Sequence, residues 1–156
     1  MSNSFKVKCR HFAREHPYTT RSLTARDVPL LRRMTELLAD EMRPEEMGDL
    51  SVLRSELDLF CLLGLRGLLL ETDSGGKAFI LGYENMPGMF TMTMSKHSTD
   101  LPPQVTAVCV HEFARALEAE YPRIDLEEDL GLEGLRRAKM LYSPVDRLDV
   151  YEGIKL

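Results

Sequence analysis

The sequence predicts one α/β domain over residues 1–156, with a mixed central sheet flanked by helices. Two observations predict this fold class. Segments with apolar residues at helical spacing alternate with short segments of two-residue period, in the order α-α-β-β-β-α-β-α-β, which implies a single sheet covered by helices. The composition, 44% hydrophobic and 29% charged residues in 156, is that of a globular domain able to bury a full core without disulfides or metals.

Two amphipathic helices are expected in the first part of the chain. Thr24 and Asp27 resemble a capping box, and the apolar residues that follow at helical spacing predict a helix over Ala25–Met42. A second helix is expected over Leu50–Leu63. Its apolar face consists of Leu50, Leu53, Leu57 and Phe60.

Three strands are expected next. Leu65–Thr72 and Lys77–Tyr83 are apolar-rich and flank a turn with two glycines, which is typical of a hairpin. A third strand is expected over Met89–Ser95. Its period of two predicts one face made of Phe90, Met92 and Met94 and another made of Thr91, Thr93 and Ser95.

The remaining elements alternate between helix and strand. A helix is expected to begin after Asp100, where two prolines occupy the first turn, and to end before Pro122. Arg123–Glu127 is expected to be an interior strand with a helix over Leu132–Met140 packed on it. A final strand is expected over Val145–Tyr151.

Bulk properties limit the classes of function. The three cysteines are far apart in the sequence and odd in number, which favours a reducing cytoplasm, and no apolar run predicts membrane insertion. A formal charge of −5 argues mildly against nucleic acid as a partner. However, eight Lys and Arg residues between Lys6 and Arg33 leave open either a local basic face or scattered solvated charges.

The segment from Arg123 to Tyr151, RIDLEEDLGLEGLRRAKMLYSPVDRLDVY, carries the most specific pattern. It resembles the C-terminal signature of the phosphatidylglycerol lysyltransferase C-terminal domain family, with an acidic Asp-Leu-Gly motif, then Gly-Leu-Arg-x-Ala-Lys, then Tyr-x-Pro. The matching residues are Glu127, Glu128, Asp129, Leu130, Gly131, Gly134, Leu135, Arg136, Ala138, Lys139, Tyr142 and Pro144. Weaker similarity extends over nearly the whole chain, and Lys96 lies where the family usually carries Glu-Lys. The chain departs from the pattern at Asp125 and Leu141, where the family has Asn and Ser.

The resemblance implies a GNAT-like fold and an acyl- or aminoacyl-transferase-like function, and a non-catalytic module that binds a ligand or partner is the alternative. Members of the family are usually two fused GNAT-like halves, and this chain resembles the second half. The resemblance therefore implies either a homodimer or a partner GNAT half. It also implies a small-molecule or aminoacyl donor, with aminoacyl-tRNA or an acyl thioester as candidates.

Transfer of an acyl group requires proton transfer and stabilisation of a developing oxyanion. Tyr142 resembles the tyrosine that GNAT enzymes place after this helix as an acid for the leaving group, and the alternative is a packed tyrosine. Glu128 is the second catalytic candidate. Glu127 and Asp129, expected on one face of the strand with Glu128 on the other, are candidates for binding a substrate amine, while a helix-capping role is favoured for Asp129.

Three basic residues are further substrate-binding candidates. Arg136 and Lys139 lie three residues apart on one helix face, where they would bind a phosphate or carboxylate or else form structural ion pairs. Lys96 follows the third strand. No His or Cys pair has metal-ligand spacing, because the His111-Glu112 start of a zinc motif has Arg115 where the second histidine belongs.

No cofactor is firmly predicted. In ordinary GNAT enzymes a glycine-rich loop presents backbone N–H groups to the pyrophosphate of coenzyme A at a helix N-terminus. Here Lys96–Pro103 occupies that position, and Pro102 and Pro103 lack the N–H that such a loop needs. The sequence therefore argues against use of a coenzyme A thioester.

Overall fold

The computed structural model describes residues 3–39 and 47–147. These residues form one five-stranded sheet with helices on both faces. The elements in chain order are α1 (Asn3–Glu15), β1 (Tyr18–Leu23), α2 (Val28–Ala39), α3 (Met47–Asp58), β2 (Arg66–Thr72), β3 (Lys77–Met86), β4 (Met89–His97), α4 (Gln104–Leu117), β5 (Arg123–Asp125) and α5 (Glu133–Met140).

The sheet is mixed, as predicted. Its order is β1-β2-β3-β4-β5, with antiparallel pairing between the first four strands and parallel pairing between β4 and β5. The hairpin between β2 and β3 turns at Gly75, whose φ of +94° suits glycine better than other residues. A short 3₁₀ turn precedes α2, and there the Asp27 carboxylate accepts the backbone N–H of Thr24 at 2.9 Å, as the capping pattern predicts.

Two hydrophobic cores lie on opposite faces of the sheet. The α1/α4 core contains apolar residues of those two helices together with Leu68, Leu70 and Ile80 of the strands. The α2/α3 core contains Leu31, Leu53 and Leu57 from the helices and the alternate strand residues, including Leu69, Phe79 and Leu81. Because successive side chains of a strand point to opposite faces, β2 and β3 supply both cores at once.

The predicted face of β4 is wrong at Met94 because of a β-bulge. Leu81 pairs with Met94 and Gly82 pairs with Met92, so Thr93 is an extra residue without a cross-strand partner in the register. An inserted residue reverses the alternation beyond it. Phe90 and Met92 therefore lie in the α1/α4 core, whereas Met94 packs against the α2/α3 core.

Two elements near the N-terminus were not predicted. Helix α1 buries Phe5 and Phe12, with half-buried Cys9 between them at helical spacing, and packs on α4. Strand β1 is an edge strand whose central four residues are all exposed, so it lacks the apolar alternation that identifies a strand. Its pairing with β2 is what establishes it.

The C-terminal part also differs from the prediction. Strand β5 is only three residues long and ends the described sheet, so it is not an interior strand among the described residues. Helix α5 spans the predicted residues but has no buried side chain, so its packing on the sheet was predicted wrongly. Of the final strand expected over Val145–Tyr151, the three described residues are not in a strand, and positions 148–151 lie outside the described residues. The end predicted for the first helix at Met42 also lies outside them.

Candidate functional site

The two parallel strands β4 and β5 separate after a short pairing. Their last paired residues are Thr91 and Asp125, and the Thr91 hydroxyl donates to the Asp125 carboxylate at 3.2 Å. The same carboxylate accepts the backbone N–H of Glu127 at 2.9 Å. Glu127 has a φ of +60°, a left-handed conformation in which a strand cannot continue. The chain therefore turns away from β4, and this strand separation is the centre of the candidate site.

This turn corrects the predicted arrangement of the acidic residues. A strand through Glu127 would place Glu127 and Asp129 on one face and Glu128 on the other. Because β5 ends at Asp125 and Glu127 is left-handed, that alternation does not apply. Glu128 is exposed, and its backbone carbonyl, rather than its side chain, makes the contact to Lys139.

Helix α3 places a carboxyl group beside the separated part of β4. Glu56 lies on α3 next to the buried residue Leu57. Its Oε2 atom is fully buried without a hydrogen-bond partner. The hydroxyl oxygen of Thr93, the bulged residue, is also buried without a partner. Burial is the main cause and raises the pKa of Glu56 above its ordinary value, while the neighbouring Thr93 hydroxyl, as a hydrogen-bond donor, opposes the shift.

Glu127 is exposed, but its carboxyl group is close enough to Glu56 for the two charges to interact. Burial is the main reason why its pKa is raised, and Lys139 opposes that shift. The negative charges of Asp125, Glu56 and Glu128 raise the pKa further. Since charges influence one another only over short distances in water, these carboxyl groups lie within one small region.

Lys139 connects α5 to the turn after β5. Its Nζ atom donates to the backbone carbonyls of Leu126 and Glu128. Burial lowers the pKa of Lys139, and the acidic residues led by Glu127 oppose the shift. The ammonium group thus holds the turn in place and brings a positive charge to the acidic residues around it.

Asp129 and Arg136 form the ion pair that was one of the two predicted alternatives. Arg136 Nε donates to Asp129 Oδ2 at 2.6 Å, and this bond is the main reason why the pKa of Asp129 is lowered. Asp129 also accepts the N–H of Gly131 at 3.0 Å. The residue that precedes α5 as its N-cap is Leu132, so Asp129 stabilises the turn before the helix rather than capping the helix itself.

Tyr142 lies on the other side of the sheet, with the α1/α4 core. Its ring packs on Phe5 of α1 with the centroids 4.9 Å apart. Burial, followed by the nearby thiols of Cys9 and Cys109, raises the pKa of Tyr142 to about 12. The packing partner is therefore a helix rather than the sheet. Lys96, the remaining predicted residue, lies near the end of β4 opposite Phe79 and is half-buried.

The start of α4 offers few backbone donors. Val105 N–H donates to the carbonyl of Pro102 at 3.0 Å, and Thr106 N–H donates to that of Pro103 at 3.3 Å. The Asp100 carboxylate lies nearby, beside Gly76. Two prolines without N–H groups, two occupied donors and a carboxylate therefore leave few free N–H groups at this helix start.

The described residues contain neither a metal-binding cluster nor a membrane-spanning helix. Across residues 3–39 and 47–147, no group of three or more His, Cys, Asp and Glu side chains is arranged to hold a metal ion. In the same part of the chain, no helix combines the length and apolar character needed to cross a bilayer.

Sequence reasoning missed Glu56 and Thr93. Glu56 lies between the apolar residues Leu53 and Leu57, so the sequence pattern places it on the polar side of an amphipathic helix. Thr93 reads as one polar residue of an alternating strand. Only the bulge and the packing of α3 bring the two together, and no local sequence signal marks either.

Comparison with known proteins agrees with the fold. The family model described as "Phosphatidylglycerol lysyltransferase, C-terminal" matches residues 3–152. A conserved protein of unknown function from Bacteroides thetaiotaomicron has 27% identity and a TM-score of 0.77, covering 92% of this chain and 50% of that protein. No curated protein sequence matches this chain.

Two more distant structures share the fold. L-PGS from Bacillus licheniformis has 16% identity and a TM-score of 0.61, with 92% of this chain and 51% of that chain covered. A ribosomal-protein-alanine N-acetyltransferase from Brucella melitensis has 15% identity and a TM-score of 0.60, with 88% of this chain and 99% of that chain covered. The chain thus spans about half the length of the Bacteroides and Bacillus proteins, and nearly the full length of the acetyltransferase.

Proposed function

The chain belongs to the phosphatidylglycerol lysyltransferase C-terminal family and has the GNAT-like fold, and from this premise we propose that it transfers an acyl or aminoacyl group at the separation of β4 and β5. The observation that carries the proposal is the end of strand pairing at Thr91 and Asp125, beyond which Lys139 donates to the carbonyls on either side of Glu127. Open α/β sheets bind ligands where neighbouring strands separate at their carboxyl ends.

The reaction requires two reactants and two proton transfers. The acceptor's amine or hydroxyl forms a bond to the carbonyl carbon of the donor, and the bond from that carbon to the leaving oxygen or sulfur breaks. The acceptor loses a proton and the leaving group gains one. Tyr142 is the proposed proton donor, since a pKa of about 12 keeps its hydroxyl protonated at neutral pH. Glu128 is the other catalytic candidate retained from the sequence.

The donor that we propose is an aminoacyl ester such as aminoacyl-tRNA rather than a coenzyme A thioester. The occupied N–H groups and prolines at the start of α4 weigh against coenzyme A. On α1, Lys6, Arg10 and Arg14 are exposed and four residues apart, so they lie within one face, where they can contact phosphates. We also propose a cytoplasmic location, which suits the free thiols of Cys9, Cys61 and Cys109.

One observation favours a second candidate, a non-catalytic module that binds a ligand or a partner half. The chain spans only about half the length of the Bacteroides protein and of L-PGS. In this second candidate function, the site at the strand separation binds a ligand or partner but does not catalyse transfer. A second copy of the chain or another GNAT half then supplies the other half of the two-domain arrangement.

The test measures donor binding and transfer with the purified full chain. Thermal unfolding is recorded with coenzyme A and, separately, with tRNA carrying a radiolabelled amino acid, and label is then followed into phosphatidylglycerol vesicles and small amines. A bound donor at a hundred times its Kd adds about 2.7 kcal/mol to the free energy of unfolding. We expect stabilisation and transfer with the aminoacyl-tRNA, and weak or no binding of coenzyme A.

Variants connect the result to the site. Lys139→Met is expected to raise the apparent KM, while Glu133→Gln, an exposed carboxylate on the same helix that faces Arg137, is expected to behave as the parent. Donor binding without transfer would favour the non-catalytic module. A low-micromolar Kd for coenzyme A would overturn the proposed donor.

A further inference from the structure

A groove of about 280 Å³ (the α1/α4 groove) lies between α1 and the start of α4, and none of the site residues described above lines it. Its apolar part consists of Val7, Phe12, Pro102 and the ring of His16. Phe12 is buried, and the His16 imidazole lies on its ring with the centroids 4.9 Å apart and the planes 32° apart. Ligand pockets usually enclose about 300–1,000 Å³, so this groove is large enough for one small group rather than for a whole cofactor.

The rim of the groove carries hydrogen-bonding groups. Lys8, Glu15 and Gln104 line it and are exposed. The Lys8 ammonium donates hydrogen bonds, the Glu15 carboxylate accepts them, and the Gln104 amide does both. His11, which also lines the groove, has its Nδ1 atom 3.2 Å from Glu15 Oε2. Proteins recognise unpaired RNA bases with this combination, in which the base stacks on an aromatic or histidine ring and its edge is hydrogen-bonded.

Helix α1 carries positive charges that no acidic residue of the described chain neutralises. Lys6, Lys8, Arg10 and Arg14 have no ion-pair partner among residues 3–39 and 47–147. Eight basic residues elsewhere each pair with a carboxylate. They are Arg21, Arg32, Arg54, Arg66, Lys77, Arg115, Arg136 and Arg137. In a chain with a net charge of −5, a helix that keeps its positive charges unpaired indicates an anionic partner.

An RNA strand fits this side of the molecule better than a membrane surface does. A helix that lies on a membrane buries its apolar face among the lipids. The apolar face of α1 is already occupied, because Phe5 and Phe12 are buried and α1 packs on α4. Among the described side chains of α1, Val7 is the one large apolar group that is exposed. Grooves that bind single-stranded nucleic acid combine cations for the phosphates with rings on which bases stack, and α1 brings both together.

We propose that the α1/α4 groove binds one unpaired base of an RNA, with the base stacked on His16 and its edge hydrogen-bonded to Gln104. The cations of α1, with Lys8 at the rim, contact the phosphates on either side of that base. The inference deepens the proposed aminoacyl-tRNA donor and rests on that function for the identity of the RNA, since every tRNA ends in unpaired nucleotides. Neither His16 nor Gln104 is among the predicted site residues.

The test follows backbone amide shifts of the full chain labelled with nitrogen-15. The probe is a single-stranded RNA hexanucleotide that ends in CCA, and the matched probe is an abasic hexanucleotide with the same phosphates. We expect saturable shifts at the amides of residues 7–16 and of Gln104 with the RNA, and at least about fivefold weaker binding of the abasic strand, because base stacking is lost. Adenosine monophosphate and phosphatidylglycerol vesicles distinguish a free nucleotide and a membrane from RNA, and both are expected to bind more weakly.

Variants separate recognition of the base from contact with the phosphates. His16→Ala is expected to raise the Kd for the RNA about fivefold and Gln104→Ala about threefold, while the abasic strand binds as it does to the parent. His16→Phe keeps a ring on Phe12 and is expected to bind the RNA as the parent does. Arg14→Gln is expected to weaken both strands equally and to make binding less dependent on salt. Arg26→Gln is its control, since Arg26 is an exposed arginine outside α1.

Several results would overturn the proposal. They are the absence of saturable RNA binding, equally tight binding of the abasic strand, tighter binding of adenosine monophosphate or of vesicles, and unchanged RNA binding in His16→Ala or in Gln104→Ala. The titration involves no aminoacyl group and no transfer. RNA binding in the groove without transfer would therefore count against the proposed function alone, whereas transfer from aminoacyl-tRNA with an unchanged KM in both variants would count against the groove alone.

Discussion

At the scale of single residues, Glu127 illustrates how one backbone conformation defines the site. Its left-handed φ ends β5, and the Asp125 carboxylate holds its N–H in that position. Non-glycine residues in this region of φ are uncommon and are found where surrounding contacts enforce them. Here the contacts come from Asp125 and, through the adjacent carbonyls, from Lys139. The residue is thus held with its carboxyl group among other charges.

Tyr142 supports a prediction at this scale. Because burial raises its folded pKa to about 12 from an ordinary value of 10, the folded state favours the neutral phenol. Tyr142 therefore ionises at a lower pH in the unfolded chain than in the folded protein. The stability associated with this group is fully present below pH 10 and is lost as the pH rises towards 12. Tyr142→Phe keeps the ring on Phe5, so it is expected to cost only about 0.5–1.5 kcal/mol near pH 8 and to lose less stability between pH 10 and 12.

Urea unfolding at several pH values checks this expectation, with Tyr121→Phe as a control that removes a surface hydroxyl bonded to Glu84. In a transfer assay Tyr142→Phe is expected to lower turnover by about 10²- to 10⁴-fold if the phenol protonates the leaving group. An alkaline profile identical to that of the parent would contradict the burial argument. Unchanged turnover would remove Tyr142 from the proposed mechanism.

At the scale of elements, sequence reasoning succeeded where apolar periodicity was strong. Helix α3, strands β2 to β4 and helix α4 were all predicted to within a few residues, because each carries an apolar face that the fold buries. Strand β1 was missed because an exposed edge strand needs no such face. Helix α1 was missed because its basic residues outnumber the three that pack inward, Phe5, Cys9 and Phe12.

The candidate site was predicted only in part, for a related reason. Its acidic and basic residues after β5 stand in one short motif, so the sequence brought Glu127, Asp129 and Lys139 to attention together. Whether each makes a local ion pair or faces a ligand depends on where the turn directs it, which the left-handed Glu127 determines. Glu56 and Thr93 come from other elements, and a bulge shifts Thr93, so their meeting is a property of tertiary packing.

The bulge of β4 leads to a prediction for the glycine opposite it. A Cβ atom added at Gly82 would lie 2.1 Å from the backbone oxygen of Thr91 and 2.6 Å from Phe90 Cε1. Such contacts force β3 and β4 apart, so Gly82→Ala is expected to lower the free energy of unfolding by about 1–3 kcal/mol or more. The amide shifts of Thr91 to Thr93 are expected to change as well.

The control for this substitution is Gly134→Ala in α5. A Cβ atom at Gly134 meets no atom within 4 Å, and alanine favours helix over glycine by up to about 1 kcal/mol. Its free energy of unfolding is therefore expected to equal or exceed that of the parent. Equal stability of Gly82→Ala and the parent in urea titrations would show that the strands accommodate the extra carbon, and that the close approach does not fix the bulge.

At the scale of the whole molecule, the sheet divides the protein into two cores that carry different parts of the proposed chemistry. Glu56 lies on α3, whose Leu53 and Leu57 belong to the α2/α3 core. Tyr142 packs on α1 beside the α1/α4 core. Proposed chemistry that uses groups on both sides of the sheet therefore depends on both cores.

The independence of the two cores can be measured with a double-mutant cycle. Leu53→Ala in the α2/α3 core is expected to cost about 2–5 kcal/mol, and Val105→Ala in the α1/α4 core about 1.5–3 kcal/mol, because both side chains are fully buried. Since the sheet lies between them, the two losses are expected to add to within about 0.5 kcal/mol. The pair Leu70→Ala and Val105→Ala, both in the α1/α4 core, is the control in which additivity is expected to fail.

Urea unfolding followed by two probes supplies the free energies and tests whether one transition covers the whole domain. A coupling well above 0.5 kcal/mol between Leu53 and Val105 would mean that a cavity on one face is relayed through the sheet to the other. In that case a substitution in the α2/α3 core would also disturb Tyr142, and the effects of Glu56 and Tyr142 variants on transfer could not be assigned separately. Additivity would allow each variant to report on its own side of the sheet, which is the condition for a separate assignment of their effects on transfer.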